Sequence, residues 1–336
     1  MMLIGFVYDA REDYRALGFS EEAIAEFDSP ETLAEIEAAL TRVGHRVERV
    51  GHGRELAARL VRGDRWDLVF SIAEGLQGRN REAQVPALCE LFGQPYVFSD
   101  PLTNSTTLDK GVAKRLVRDA GVPTAPFAVL EHAHEASKVA LPFPLFVKPV
   151  AEGTGKGCES ASKVTSRARL KSAAQRLIAR FDQPVIVETF LPGREFTVGL
   201  TGAGASARVI AVLEVVLLDE AEAEIYSFLN KEQCETLVHY RLADDAEAML
   251  AADHALRAYR ALGCRDAARL DFRSDANGIP MFLEANPLAG LHPTHSDLPM
   301  LATKSGMTYD ALMAEIVESA MVRYGFGEAR ERVRGS

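Results

Sequence analysis

The chain has no apolar run approaching the roughly 20 residues of a membrane span, no excess of basic residues and no paired cysteines. Lysine and arginine number 38 against 48 acids, a net charge of −10. That balance argues against duplex nucleic acid or an anionic membrane as a partner, local basic pockets aside. Cys89, Cys158, Cys234 and Cys264 form no C-x-x-C pair, so neither a zinc site nor a disulfide framework is implied. The start, "MMLIGFVYDA", is too short and too soon followed by acids for a signal peptide, and cytoplasmic residence is the expectation. There is no internal repeat and no low-complexity segment. What the chain does have is 336 residues, 47% of them hydrophobic, ample for a large core in two or three lobes.

The first hundred residues alternate strand and helix. "MLIGFVYD" reads as a strand, followed by an acidic, irregular stretch from Ala10 to about Phe27. Ser29 is a good N-cap for a helix with Pro30 in its first turn and Gly44 at its stop. "HRVERV" and "WDLVFSIAEG" read as two more strands around a helix at "RELAARLV". Such alternation predicts an α/β fold with a doubly wound parallel sheet. Beyond about residue 105 the pattern restarts. A helix runs from "TTLDKGVAK" to Gly121, "FPLFVKPV" is a strand, "SRARLKSAAQRLIARF" a helix and "PVIVETFL" a strand. Residues 195–217 are strand-rich, Asp245 to Leu262 is helical, and "TYDALMAEIVESAMVRYG" is a last helix. The expected divisions are 1–105, 106–187 and 188–327, with a charged tail at 328–336.

Chemistry concentrates in a few places. In "ARLDFRSDANGIPMFLEANP", Leu270 and Phe272, then Ile279, Met281 and Leu283, alternate with polar residues as half-buried strands do. The "SDANG" cluster between them is a hairpin turn. Folding it sets Asp271 beside Glu284, with Asn286 on the same face, a hard-oxygen set suited to Mg²⁺; the competing reading is an exposed hairpin edge with scattered acids. The loop Gly153-Thr154-Gly155-Lys156-Gly157 can bring backbone N–H groups, a hydroxyl and a cation to phosphates, or be only a hairpin tip. It is not the G-x-x-x-x-G-K-[ST] pattern, which sets aside an ordinary NTPase. Lys148, inside an apolar strand, must reach a cleft or snorkel out. Lys110 is a second candidate cation or a solvated helix residue. Glu188, the backbone at Phe190–Leu191, and Glu195 would fit an adenine slot and ribose acceptor, or an ordinary strand and turn.

Together "TTLDKGVAK", "FPLFVKPVAEGTGKG", "VIVETFLPGREFTVGL" and "ARLDF…MFLEANPLAG…HSDLPMLATKSGMTYDALM" resemble the ATP-grasp superfamily, and within it the D-alanine–D-alanine ligase family. The resemblance covers about residues 70 to 320. It implies an ATP-grasp fold whose C-terminal lobes are α+β. It implies ATP phosphates held by Lys110, Lys148 and Lys231, covered by loop 153–157, and adenosine held by Glu188, Phe190, Leu191 and Glu195. It also implies two Mg²⁺ ions, with Mn²⁺ as a substitute, on Asp271, Glu284 and Asn286. Arg269 and the Gly290 N–H would stabilise a tetrahedral intermediate, and Ser296 would hold the second substrate's carboxylate. The activity implied is ATP-dependent carboxylate–amine ligation through an acyl phosphate, which needs water excluded by loop 153–157 and the region around 220–240 as lids. Small carboxylate and amine substrates, and the homodimer common in the family, are the implied partners.

The amino-acid pocket departs from the family. "YDAREDY" replaces the Gly-Gly-x-Ser-x-Glu turn, and "EGLQGRNRE" puts Glu74, Arg79 and Asn80 where the family has histidine, glutamate and aspartate. Glu232 stands for a tyrosine, Thr154-Gly155-Lys156 for Ser-Ser-Val, and "NPLAGLHPTHS" lacks the family's Pro-Gly. A pocket gaining Arg79 and Lys156 is expected to take a more negative substrate, unless Arg79 only pairs with Glu82 or Glu74. His292 and His295 would orient the acceptor or act as its base, or merely pack the loop. D-Ala–D-Ala synthesis proper is the alternative within enzymes; a non-catalytic nucleotide-binding regulator is the alternative from another class.

Overall fold

The computed structural model describes residues 1–218, 230 and 234–326. The expected tail at 328–336 and most of the expected lid around 220–240, Lys231 and Glu232 included, lie outside the described residues.

Three sheets carry the molecule. The first is parallel, in the order β2 (Arg46–Gly51), β1 (Leu3–Val7), β3 (Leu68–Ser71). Ile4, Phe6, Leu68 and Phe70 pack under helix α2 (Pro30–Arg42) and the C-terminal helix Tyr309–Arg323. Val7, Trp66 and Val69 face α3 (Gly53–Arg62) and α4 (Gln84–Leu91), so the sheet is covered on both sides as a parallel sheet must be. The Ser29 hydroxyl accepts from the Thr32 N–H and Pro30 opens α2, as the capping signal predicts. The stretch read as irregular contains a short helix, α1 (Arg11–Ala16), whose missing side-chain cap left no start signal.

A four-stranded antiparallel sheet follows, in the order β4 (Phe127–Leu130), β7 (Val185–Thr189), β5 (Leu145–Pro149), β6 (Lys163–Val164). Leu145, Val147, Val185 and Val187 bury themselves under α7 (Arg167–Phe181). Period-two alternation then turns Phe146, Lys148 and Glu188 to the opposite face. Helices α5 (Pro101–Leu108) and α6 (Lys110–Asp119) lead into this sheet. The third sheet is antiparallel, β10 (Val238–Leu242), β9 (Arg208–Leu217), β8 (Glu195–Ala203), β11 (Arg265–Ser274), β12 (Pro280–Asn286). The helix Ala246–Leu262 lies on it through Ala248, Ala251, Ala255 and Ala258, small residues at helical spacing that let it approach closely.

The divisions expected after 105 and 187 fall inside α5 and β7.

Candidate active site

The hairpin of β11 and β12 supplies the centre of the site. Asp271 pairs with Glu284 and Arg269 with Asn286 in the ladder, so all four share one face. The register slips between Asp271 and Phe272, leaving Leu283 as an extra residue in β12. That bulge corrects the simple alternation: Phe282 is the residue in the core, whereas Met281 and Leu283 are only half-buried and Ile279 is exposed. The bulge resets the parity so that Glu284 and Asn286 come out on the face of Asp271. At the turn, the Asp275 carboxylate accepts from the Asn277 and Ile279 N–H groups, and Gly278 takes a positive φ.

Two adjoining cavities open on this face. One, of about 100 Å³, is lined by Lys110, Lys148, Gly155, Lys156, Glu188, Phe190, Leu191, Glu195, Asp271 and Glu284. The other, of about 180 Å³, is lined by Glu74, Gly153, Thr154, Arg269, Asn286, Gly290, His295 and Ser296. Lys110, Glu152 and Glu284 stand on the wall between them, lining both. Gly157 lies behind the loop: φ is +73°, and a Cβ there would meet Pro149 at 2.8 Å and Phe181 at 2.9 Å. His292 stays outside the lining, its Nδ1 accepting from the Thr294 N–H at 3.3 Å, while His295 reaches the second cavity.

The charges in the first cavity are tightly paired. Glu188 is held between Lys114, 2.7 Å away, and Lys148, 3.2 Å away. Burial alone would raise its pKa, but the two ammonium groups bring it below the usual carboxylate range. Burial would likewise lower Lys148, yet Glu188 and Glu284 hold it above the ordinary lysine value. Assigning Glu188 only to adenosine is thus incomplete, because its carboxylate already organises two lysines. Lys114 is fully buried and donates to the Phe282 carbonyl at 2.5 Å. Sequence reading passed over it, although it lies one turn after Lys110 on α6. Lys110 reaches Glu284 at 3.2 Å and the Glu152 carbonyl at 2.6 Å, which excludes the solvated-helix reading.

Arg269 donates to Asp297 at 2.5 Å and lies 3.3 Å from Asp271. Asp297 follows Ser296 in "HSD" and was not picked out beforehand. Ser296 Oγ accepts from the His292 N–H at 3.0 Å, and a Cβ on Gly290 would meet that oxygen at 2.7 Å. Asp271 also accepts from Thr197 Oγ1 at 3.0 Å. Asn286 Nδ2 is buried without a hydrogen-bond partner, so the protein does not hold the amide through that atom. Two carboxylates and an amide form a donor set that suits a hard divalent cation.

The two cations behind the expectation of a more negative substrate are both held by protein carboxylates. The Arg79 side chain is 80% exposed and ion-paired to Asp109, outside both cavities. Lys156 is buried and paired with Glu152 and with Glu26, the latter at 3.4 Å. The side of the second cavity formed by the N-terminal lobe carries Glu26, Glu74 and Glu82; no sequence motif revealed Glu26, and Glu82 was read only as a possible partner of Arg79. Burial, then the neighbouring Glu82 and Glu26, push the Glu74 carboxyl well up. Burial pushes Glu82 up to about 7.

A small and a larger antiparallel sheet clasping a lysine-lined cleft with a carboxylate pair at its floor define the ATP-grasp class of ligase. Residues 116–318 match the model of the D-ala D-ala ligase C-terminus. A D-alanine–D-alanine ligase of Bordetella petrii is 37% identical over 259 residues, 76% of each chain. One of Gluconobacter oxydans is 32% identical over 304 residues, 88% of this chain and 96% of that one. The solved D-alanine–D-alanine ligase of Bacillus anthracis with ATP has the same fold, at TM-score 0.72 and 22% identity, covering 98% of this chain and 100% of that one. The chain belongs to the D-alanine–D-alanine ligase family, whose members are ATP-dependent carbon–nitrogen ligases. Among the described residues no helix is long and apolar enough to cross a membrane.

Proposed function

We propose that this protein joins the carboxylate of one amino acid to the amine of another, using ATP, through an acyl phosphate. The observation that carries the reading is the convergence of Lys110, Lys148, Asp271 and Glu284 on one cavity, with Arg269 and Gly290 on the adjoining one. In this reading Phe190, Leu191 and Glu195 take the adenosine, and Lys110, Lys148 and loop 153–157 take the phosphates. A pair of Mg²⁺ ions on Asp271, Glu284 and Asn286 would neutralise charge on the transferring phosphoryl group. Arg269, oriented by Asp297, and the Gly290 N–H receive the oxyanion that develops as the amine attacks. Ser296 and His295 lie where the acceptor would sit. The three-lobe division, with its breaks at the ends of α5 and β7, supplies the closing motion that keeps water from the acyl phosphate.

D-Ala–D-Ala formation itself is the nearest specific form, favoured by the names of the Bordetella and Gluconobacter relatives. A regulator that only binds nucleotide would have no use for Arg269, Gly290 and Ser296 around the second cavity. The test is ADP release with Mg-ATP across pairs of D- and L-amino acids, with the product's mass measured. We expect release that depends on an amino-acid pair, yields the condensed product and stops when divalent cations are chelated. Nucleotide binding without release under any pair would overturn the ligase reading.

A further inference from the structure

We propose that the amino acid whose carboxylate is activated carries a second amino group: a diamino acid in place of an alanine-sized one. The inference rests on the ligase reading above and concerns the second cavity of that same site.

Four carboxylates on that cavity have a protein cation. Glu284 has Lys110 at 3.2 Å, Asp297 has Arg269 at 2.5 Å, Glu26 has Arg81 at 3.1 Å, and Glu152 has Lys156. Among the described residues Glu74 and Glu82 make no ion pair or hydrogen bond; Arg81 and Lys110 act on them only at longer range, each being paired to another carboxylate. Glu74 follows β3 and Glu82 lies in the turn Arg81–Ala83, so both enter from the N-terminal lobe a cavity that Gly290 and Ser296 also line. Of the two cations that sequence offered for this pocket, Arg79 points to solvent and Asp109, and Lys156 is held by Glu152 and Glu26.

Half-buried carboxylates without counter-ions either bind protons or await a cation. The α-ammonium of a simple amino acid neutralises one of them. Two ammonium groups on one ligand neutralise both and leave this part of the cavity electrostatically complete with the carboxylates ionised. Two further atoms lining the same cavity, Thr154 Oγ1 and Asn286 Nδ2, are buried without a hydrogen-bond partner, which marks the cavity as made for a polar guest. An acidic substrate would find no unpaired cation on this side of the cavity, where Arg81 is held by Glu26 and Lys156 by Glu152 and Glu26.

The experiment measures kcat/KM for ADP release and product mass, with D-2,4-diaminobutyrate, D-ornithine, D-lysine and D-alanine each as the activated acid and D-alanine as acceptor. The wild type is expected to favour at least one diamino acid over D-alanine by tenfold or more. E82Q and E74Q, checked for folding by thermal unfolding and for ATP binding, are each expected to narrow that ratio by about tenfold. A wild-type preference for D-alanine, or a diamino preference unmoved by both variants, overturns the inference and leaves the ligase reading intact. No ADP release with any of the four acids, with ATP still bound, counts against the ligase reading and removes the inference with it.

Discussion

Glu82 carries a carboxyl held at about 7, because burial penalises its ionised form more than Arg81 and Lys110 favour it. The sign of the resulting pH dependence follows from linkage. An acid whose folded pKa lies above its unfolded value contributes stability that is complete below about 4.5, the unfolded value, and is lost as pH rises through 7. The ligand-free protein therefore loses stability from Glu82 between those values, up to about 3 kcal/mol for a shift of this size. Glutamine cannot ionise, so E82Q is expected to unfold at a higher temperature than wild type at pH 8 and to lose that advantage at pH 4.5. Equal melting at pH 8 would show the carboxyl is already compensated. At Gly290, a methyl group would meet Ser296 Oγ at 2.7 Å and displace the hydroxyl that accepts from His292. G290A is expected to lower kcat/KM for the acceptor by roughly a hundredfold through misplacement, with the KM for ATP unchanged. These two residues differ in legibility. Gly290 was reached through the family resemblance of "NPLAG", whereas Glu82 was read only as a possible partner of Arg79, because no sequence pattern records its burial.

Elements were read well where periodicity and caps agree, and poorly where tertiary packing decides. The helix after Ser29 has its cap, its proline and its stop in the chain itself. The β11–β12 hairpin was legible as a hairpin, but the bulge at Leu283 was not, since an extra residue reverses which apolar residues face the core without changing their types. The phosphate loop was legible as a glycine-rich turn after β5, but not its anchor. Glu26 accepts from the Gly153 N–H at 2.6 Å while pairing with Arg81 and Lys156, and Arg81 also donates to the Ala151 carbonyl at 2.9 Å. One residue of the N-terminal lobe thus ties down the loop of another. E26A should release the loop, since it strips a carboxylate from two cations and a backbone donor at once. We expect faster proteolytic cleavage within 153–157 in the ligand-free variant, detected by mass spectrometry of the fragments. Unchanged cleavage would place the anchor elsewhere.

For the molecule as a whole, the decisive contacts join residues far apart in sequence, and for that reason no local pattern announces them. Asp266, at the start of β11, is fully buried with φ of +65°, a conformation that aspartate tolerates better than most residues. Its carboxylate accepts from the Phe98 N–H at 2.8 Å, from Ser319 at 2.8 Å and from Arg323 at 2.6 Å. It therefore fastens the exit of the first lobe and the C-terminal helix to the strand that carries Arg269 and Asp271. Asparagine keeps the size and the tolerance of positive φ but removes the charge, so D266N leaves Arg323 facing a neutral group in a dry setting. Breaking one side of such a buried pair costs about 3–5 kcal/mol, a large share of the 5–15 kcal/mol typical of a folded domain. D266N is accordingly expected to lower the urea midpoint of all three lobes together, while the protein that remains folded binds ATP as before, because Asp266 lines neither cavity. Loss confined to the first lobe, read by hydrogen exchange, would mean that the three lobes are stable independently. Full stability in urea with weakened ATP binding would instead make Asp266 a part of the site, not of the frame that holds it.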